Sequence, residues 1–147
     1  MRIDAFLHES PMFAVSRAAR RFDALATRVL APDSLGFLEG LVLAAIFFDE
    51  PSISTPSQLA DTFGTTRGNV SHCISSLEAK GLLQRTIDPA DARSYHLALK
   101  PQGRKCALRV IRAFDKLQAA FEKEVGKTAL RDALATIRKL EALAPGK

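Results

Sequence analysis

"TPSQLADTFGTTRGNVSHCISSLEAKG", residues 55–81, decides the fold. Thr55 is an N-cap, Pro56 fills the first helical position, where a missing N–H costs nothing, and Gln58 completes a capping box. Gly64 ends that short helix, and Thr66 caps the next. In the second helix Val70, Cys73, Ile74 and Leu77 recur at helical spacing and are expected to be buried; Gly81 is the stop. Two short helices joined by a tight turn containing glycine make a helix-turn-helix.

Past Gly81 the apolar period drops to about two. "LLQRTI", residues 82–87, and "YHLAL", residues 95–99, read as strands, with Tyr95, Leu97 and Leu99 on one face. Between them "DPADARS" supplies turn chemistry, because Pro fixes φ and Asp accepts local backbone hydrogen bonds. A β-hairpin therefore follows the helix-turn-helix.

The flanks are helical. Val15, Ala18, Ala19, Phe22, Leu25, Ala26 and Val29 form one apolar stripe, stopped by Pro32, while Arg17, Arg20, Arg21 and Arg28 occupy the polar side. A helix predicted over Ser34–Phe48 is apolar nearly all round (Leu35, Leu38, Leu41, Val42, Ala45, Ile46) and belongs in the core. Pro101 opens a long helix in which Ala107, Val110, Phe114, Leu117 and Phe121 form a packing seam. A last helix is predicted over Thr128–Leu143. These terminal helices carry more apolar stripe than one small core can cover, and a homodimer is the expectation; packing of the seam within one chain is the alternative.

With 147 residues, 47% hydrophobic and 25% charged, the chain can bury a core without disulfides or metal. "MRIDAFLHES" lacks the features of a leader, and "LVLAAIFF", residues 41–48, falls short of the roughly 20 apolar residues that cross a bilayer. A cytoplasmic protein with no membrane partner is expected. The two cysteines, Cys73 and Cys106, lie far apart without a CxxC partner and read as reduced, buried, inert thiols. The three histidines are scattered, and no metal-ligand spacing, Gly-rich phosphate loop or assignable triad occurs, so no catalytic residue, metal or cofactor is assigned.

Charge is unevenly placed. Residues 1–63 hold five basic and eight acidic residues, whereas residues 64–105 hold seven basic and three acidic. A basic middle suits a polyanion, although a solvated basic face has the same composition. The side of the second helix opposite Val70 and Ile74 presents Thr66, Arg67, Gly68, Asn69, Ser71, His72 and Ser75. Arg can bond guanine O6 and N7, Asn can bond adenine, and Ser or Thr can bond base edges or phosphate; the helix N-terminus attracts phosphate as well. Gly68 permits close approach of a duplex at some cost in helix propensity. Arg85 on the first strand joins this surface.

"LADTFGTTRGNVSHCISSLEAKGLLQRTIDPADARSYHLALKPQGRK" resembles the winged helix-turn-helix core of the MarR (multiple antibiotic resistance regulator) family. The resemblance rests on the LA…G helix, the L-E-x-K-G-L close of the recognition helix, the D-x-R wing signature at Asp91 and Arg93, and the L-x-L…G entry to the next helix. It implies a mainly α fold with a small β wing. One MarR-like domain would span residues 1–147, with dimerisation helices at 1–33 and 101–147 around a DNA-binding lobe at 34–100. It also implies that Arg93 enters the minor groove, where narrow A·T-rich segments concentrate negative potential, with Asp91 holding it.

The implied function is a homodimeric, sequence-specific transcriptional regulator on a pseudo-palindromic double-stranded operator, a repressor relieved by a small aromatic or anionic effector. An effector cleft could draw on His8, Phe13, Arg17, Phe37 or Phe47, but such positions are more often core, and no ligand site is assigned. The alternative is a winged-helix interaction module whose basic face docks an acidic protein. Three departures from the family pattern stand out: His72 replaces a common Arg, Ala92 removes a common wing charge, and Lys100 replaces the usual Thr cap.

Overall fold

The computed structural model describes residues 2–50, 55–88 and 91–143, with the backbone alone at residues 2, 88 and 91–94. In chain order the elements are α1 (Arg2–Glu9), α2 (Pro11–Leu30), a 3-10 turn (Ala31–Asp33), α3 (Phe37–Asp49), α4 (Pro56–Thr62), α5 (Arg67–Ala79), β1 (Leu83–Asp88), β2 (Asp91–Leu99), α6 (Pro101–Val125) and α7 (Lys127–Ala142).

Residues 25–113 form one compact unit. Its core is built from Ala26 and Leu30 of α2, Val42, Leu43 and Ile46 of α3, and Leu59 of α4. Val70, Ile74 and Leu77 of α5, Leu83 and Leu97 of the strands, and Cys106, Ala107 and Val110 of α6 complete it. The last turns of α2 and the first turns of α6 bury their apolar residues in this unit.

Two glycines set close approaches here. A Cβ on Gly40 would sit 2.8 Å from Leu30 Cδ1, and one on Gly103 would sit 1.7 Å from the Leu82 carbonyl oxygen. That same oxygen accepts a hydrogen bond from Lys100 N at 3.0 Å. The start of α6 is thereby pinned to the residue that leads into the wing.

The predicted helix at Ser34 starts later, at Phe37. Ser34 adopts a left-handed φ of 55° and closes the 3-10 turn; Leu35 is buried outside the helix, and Glu39 receives the Gly36 N–H at 2.7 Å. At the other end of the chain, α2 begins at Pro11 rather than near Val15, and a separate helix, α1, precedes it.

The hairpin is antiparallel, with Leu83 opposite Leu99, Arg85 opposite Leu97 and Ile87 opposite Tyr95; the register shifts between Ile87 and Asp88. Among the described residues the wing reaches the core at its base: Leu83 is fully buried, whereas Ile87 is 68% exposed.

Residues 1–24 and 114–147 form a second compact unit. Phe6 and Phe13 meet edge to face within it, at 6.0 Å. Phe6, Met12, Phe22, Phe121 and Leu134 are all exposed, and α7 buries no residue. No single helix among the described residues is long and apolar enough to cross a membrane.

Candidate nucleic-acid interface

The α5 helix is set up by short-range chemistry. Thr66, in extended conformation, accepts the Asn69 N–H on its hydroxyl at 3.2 Å, so the helix has a defined first residue. Gly64 takes the positive φ of 60° that the turn from α4 requires. α4 itself carries the expected capping box, with Gln58 N on Thr55 Oγ1 at 3.2 Å and Thr55 N on Gln58 Oε1 at 2.9 Å.

With Val70, Ile74 and Leu77 sealed in the core, Thr66, Arg67, Gly68, Asn69, His72 and Ser75 are exposed. Ser71 is only half-buried, on the flank of this face rather than its crest. Cys73, expected in the core, is half-buried on the other flank. The Asn69 side chain is held by its own amide, which donates to Thr65 Oγ1 at 3.0 Å. Its carbonyl oxygen and second amide proton keep the donor–acceptor pair that fits adenine. At Gly68 an added Cβ would meet nothing closer than Thr66 Oγ1 at 3.8 Å. Among the described residues nothing explains the missing side chain.

On one flank the wing meets α5 through Arg85. Its Nη2 donates to Ser75 Oγ at 2.6 Å, its Nε pairs with Glu78 Oε2 at 3.1 Å, and its guanidinium lies 5.2 Å from the centroid of the Tyr95 ring. Asp91 and Arg93 lie in β2, Arg93 two residues before Tyr95, and their side chains fall outside the described residues.

On the other flank Lys80 ends α5 with a clamp on α3. Its Nζ donates to the Ser34 carbonyl oxygen at 2.7 Å and to Glu39 Oε1 and Oε2 at 2.8 and 2.9 Å. Burial alone raises the Glu39 carboxyl, but hydrogen bonds from Lys80, Ser76 and Gly36 N outweigh it and hold the group below the usual carboxylate range. A shallow open groove lined by Phe37, Leu38, His72, Cys73 and Ser76 lies beside the clamp. Burial, and then the Glu39 charge, push the Cys73 thiol up; burial and Asp33 do the same to Cys106. Both therefore stay protonated at neutral pH, which suppresses thiolate chemistry.

Sequence reading misses the Glu39–Lys80 clamp and the partners of Arg85. Glu39 carries a signal, being a lone acid inside an apolar run three residues after Gly36. Its partner, 41 residues away, has none.

A capped, exposed polar helix beside a two-stranded wing over a shared core defines the class: a winged helix-turn-helix. The S. aureus MepR–DNA complex is similar over 90% of this chain and 95% of its own, with a TM-score of 0.82 at 17% identity. M. tuberculosis MosR in complex with DNA is similar over 93% and 100%, with a TM-score of 0.72 at 26% identity. Bordetella bronchiseptica BpsR, whose DNA binding is regulated by 6-hydroxynicotinic acid, is similar over 90% and 94%, with a TM-score of 0.77 at 19% identity. No curated protein sequence matches the chain. Residues 34–94 match the model of the MarR family. The matched stretch takes in α3, α4, α5 and β1.

Proposed function

We propose that the chain is a homodimeric, sequence-specific DNA-binding transcriptional regulator acting at a pseudo-palindromic operator. The observation that carries this reading is the exposed face of α5, where Arg67, Asn69, His72 and Ser75 project from a helix whose opposite side is sealed in the core. In this reading α5 enters the major groove with its N-terminus toward a phosphate, and Arg93 enters the adjacent minor groove with Asp91 beside it. Ser71 contributes from the flank and Thr66 at the helix cap. Two-fold symmetry would space the recognition helices about 34 Å apart, one turn of B-DNA. The likeness to MosR and MepR, both seen with DNA, supports the assignment.

The exposed apolar residues of residues 1–24 and 114–147 support a second copy of the chain as the dimer partner. Repression by occlusion of polymerase, in the cytoplasm, completes the reading. Relief comes from a small aromatic or anionic effector that shifts the population of subunit spacings. The regulation of BpsR by 6-hydroxynicotinic acid supports this last element.

The test is selection of bound duplexes from a random pool by the purified protein, followed by a salt titration on the winner. The expected result is a two-fold symmetric motif and a log–log salt slope near −0.9 per neutralised phosphate. On that motif Arg93→Ala is expected to weaken binding in a mobility-shift titration. Recovery of no motif, with binding instead to an acidic protein, would replace this reading by the interaction-module one.

A further inference from the structure

A two-stranded hairpin is not stable by itself, so the direction of a wing is set by what holds its strands to the lobe. Among the described strand side chains, Leu83 and Leu97 are sealed in the core. They fix the base of the hairpin. Arg85, opposite Leu97 in the register, is the next inward position on β1, and Ile87 beyond it is exposed. From Arg85 to the end of β1 three more residues extend outward, about 10 Å of strand. A small rotation about the base would therefore displace the tip by ångströms.

The Arg85 guanidinium is used on three sides at once. Nη2 is on Ser75 Oγ, Nε is on Glu78 Oε2, and the plane stands over Tyr95 of the paired strand. Ser75 and Glu78 are three residues apart on α5, so one planar fork grips successive positions of the helix while its ring contact grips the other wing strand. A residue whose task was to meet a phosphate would gain nothing from a carboxylate partner on the same face.

We propose that Arg85 is a positioning residue: a strut between recognition helix and wing that sets the angle at which the wing leaves α5, and with it the minor-groove register. This rests on the DNA-binding reading above. Glu78 is then part of the strut, although it places a negative charge near a polyanion.

The experiment uses the full chain and its selected operator. Arg85→Ala, Arg85→Lys and Glu78→Gln are compared with the unaltered protein by salt-dependent mobility shift and by repeat selection, with circular dichroism to establish that each variant is folded. The strut predicts an affinity loss of about tenfold for Arg85→Ala with an unchanged salt slope, no rescue by Lys, and a smaller loss for Glu78→Gln. Repeat selection is expected to show flattened preference at the outer, wing-facing positions only.

A phosphate contact predicts the opposite: a slope reduced by about 0.9, rescue by Lys, and tighter binding of Glu78→Gln. Any of those three results overturns the proposal. If Arg85→Ala does not fold, the sign of the Glu78→Gln effect decides. Failure of the unaltered protein to select any duplex would overturn the DNA-binding reading itself, a separate outcome.

Discussion

Lys80 Nζ lies between both carboxylate oxygens of Glu39, at 2.8 and 2.9 Å, and the Glu39 residue is only 8% exposed. The pair joins the C-terminal end of α5 to the first turn of α3, so loss of the ammonium strands a largely buried carboxylate. Lys80→Ala is expected to destabilise the lobe by about 2 kcal/mol, at the low end for a broken buried pair because Lys80 is partly solvated. Urea unfolding followed by circular dichroism would measure it, and an unchanged midpoint would show that the clamp contributes nothing.

Two carboxylates give the stability a pH dependence. Glu39 is held low by its hydrogen bonds, and Asp33 is held low chiefly by its hydrogen bond from Arg109, which donates from Nε at 3.2 Å and from Nη2. Both groups bind fewer protons folded than unfolded between their depressed values and the usual range of about 4. Their contribution is complete above about pH 5 and is lost as pH falls through the folded values. Thermal melts from pH 7 to pH 3 are expected to show the midpoint falling on the acid side. Asp33→Asn should flatten part of that fall.

Gly68 separates stability from binding. Its Cβ position is open, with Thr66 Oγ1 at 3.8 Å, so Gly68→Ala is expected to fold and to gain up to about 1 kcal/mol of helix propensity, less in a first turn. On operator DNA the same methyl would stand between helix backbone and duplex. A raised melting midpoint together with weaker binding is the expected combination; unweakened binding would show that the helix does not approach closely there.

Phe121 is 54% exposed and Leu134 45% exposed, in residues that bury little apolar surface of their own. A charge at either position is expected to move the protein toward monomer in sedimentation or light scattering without unfolding residues 25–113. If Phe121→Glu and Leu134→Glu leave the size distribution unchanged, these side chains lie outside any subunit contact.

What sequence reveals here divides by range. The caps at Thr55 and Thr66, the stop at Gly81 and the change of period into the wing are local, so each is legible from a few neighbours. The exposed face of α5 follows from the buried one, and only Ser71 and Cys73 shift to the flanks, where a three-residue apolar stripe leaves the border undefined. The late start of α3 is not legible, because Ser34 in a left-handed conformation looks like any other N-cap in the sequence. Nor are the partners of Lys80 and Arg85, which depend on how helices and strands meet in three dimensions.

Ser75 lends one lone pair to the Arg85 guanidinium at 2.6 Å. A hydroxyl that already accepts from a cation has its electron density drawn toward that cation and becomes a stronger donor of its own proton. If α5 reads a duplex as proposed, this hydroxyl would favour guanine O6 or thymine O4 over the amino groups of cytosine and adenine. In the proposed complex an arginine that reads no base would thus decide the polarity with which its neighbour does.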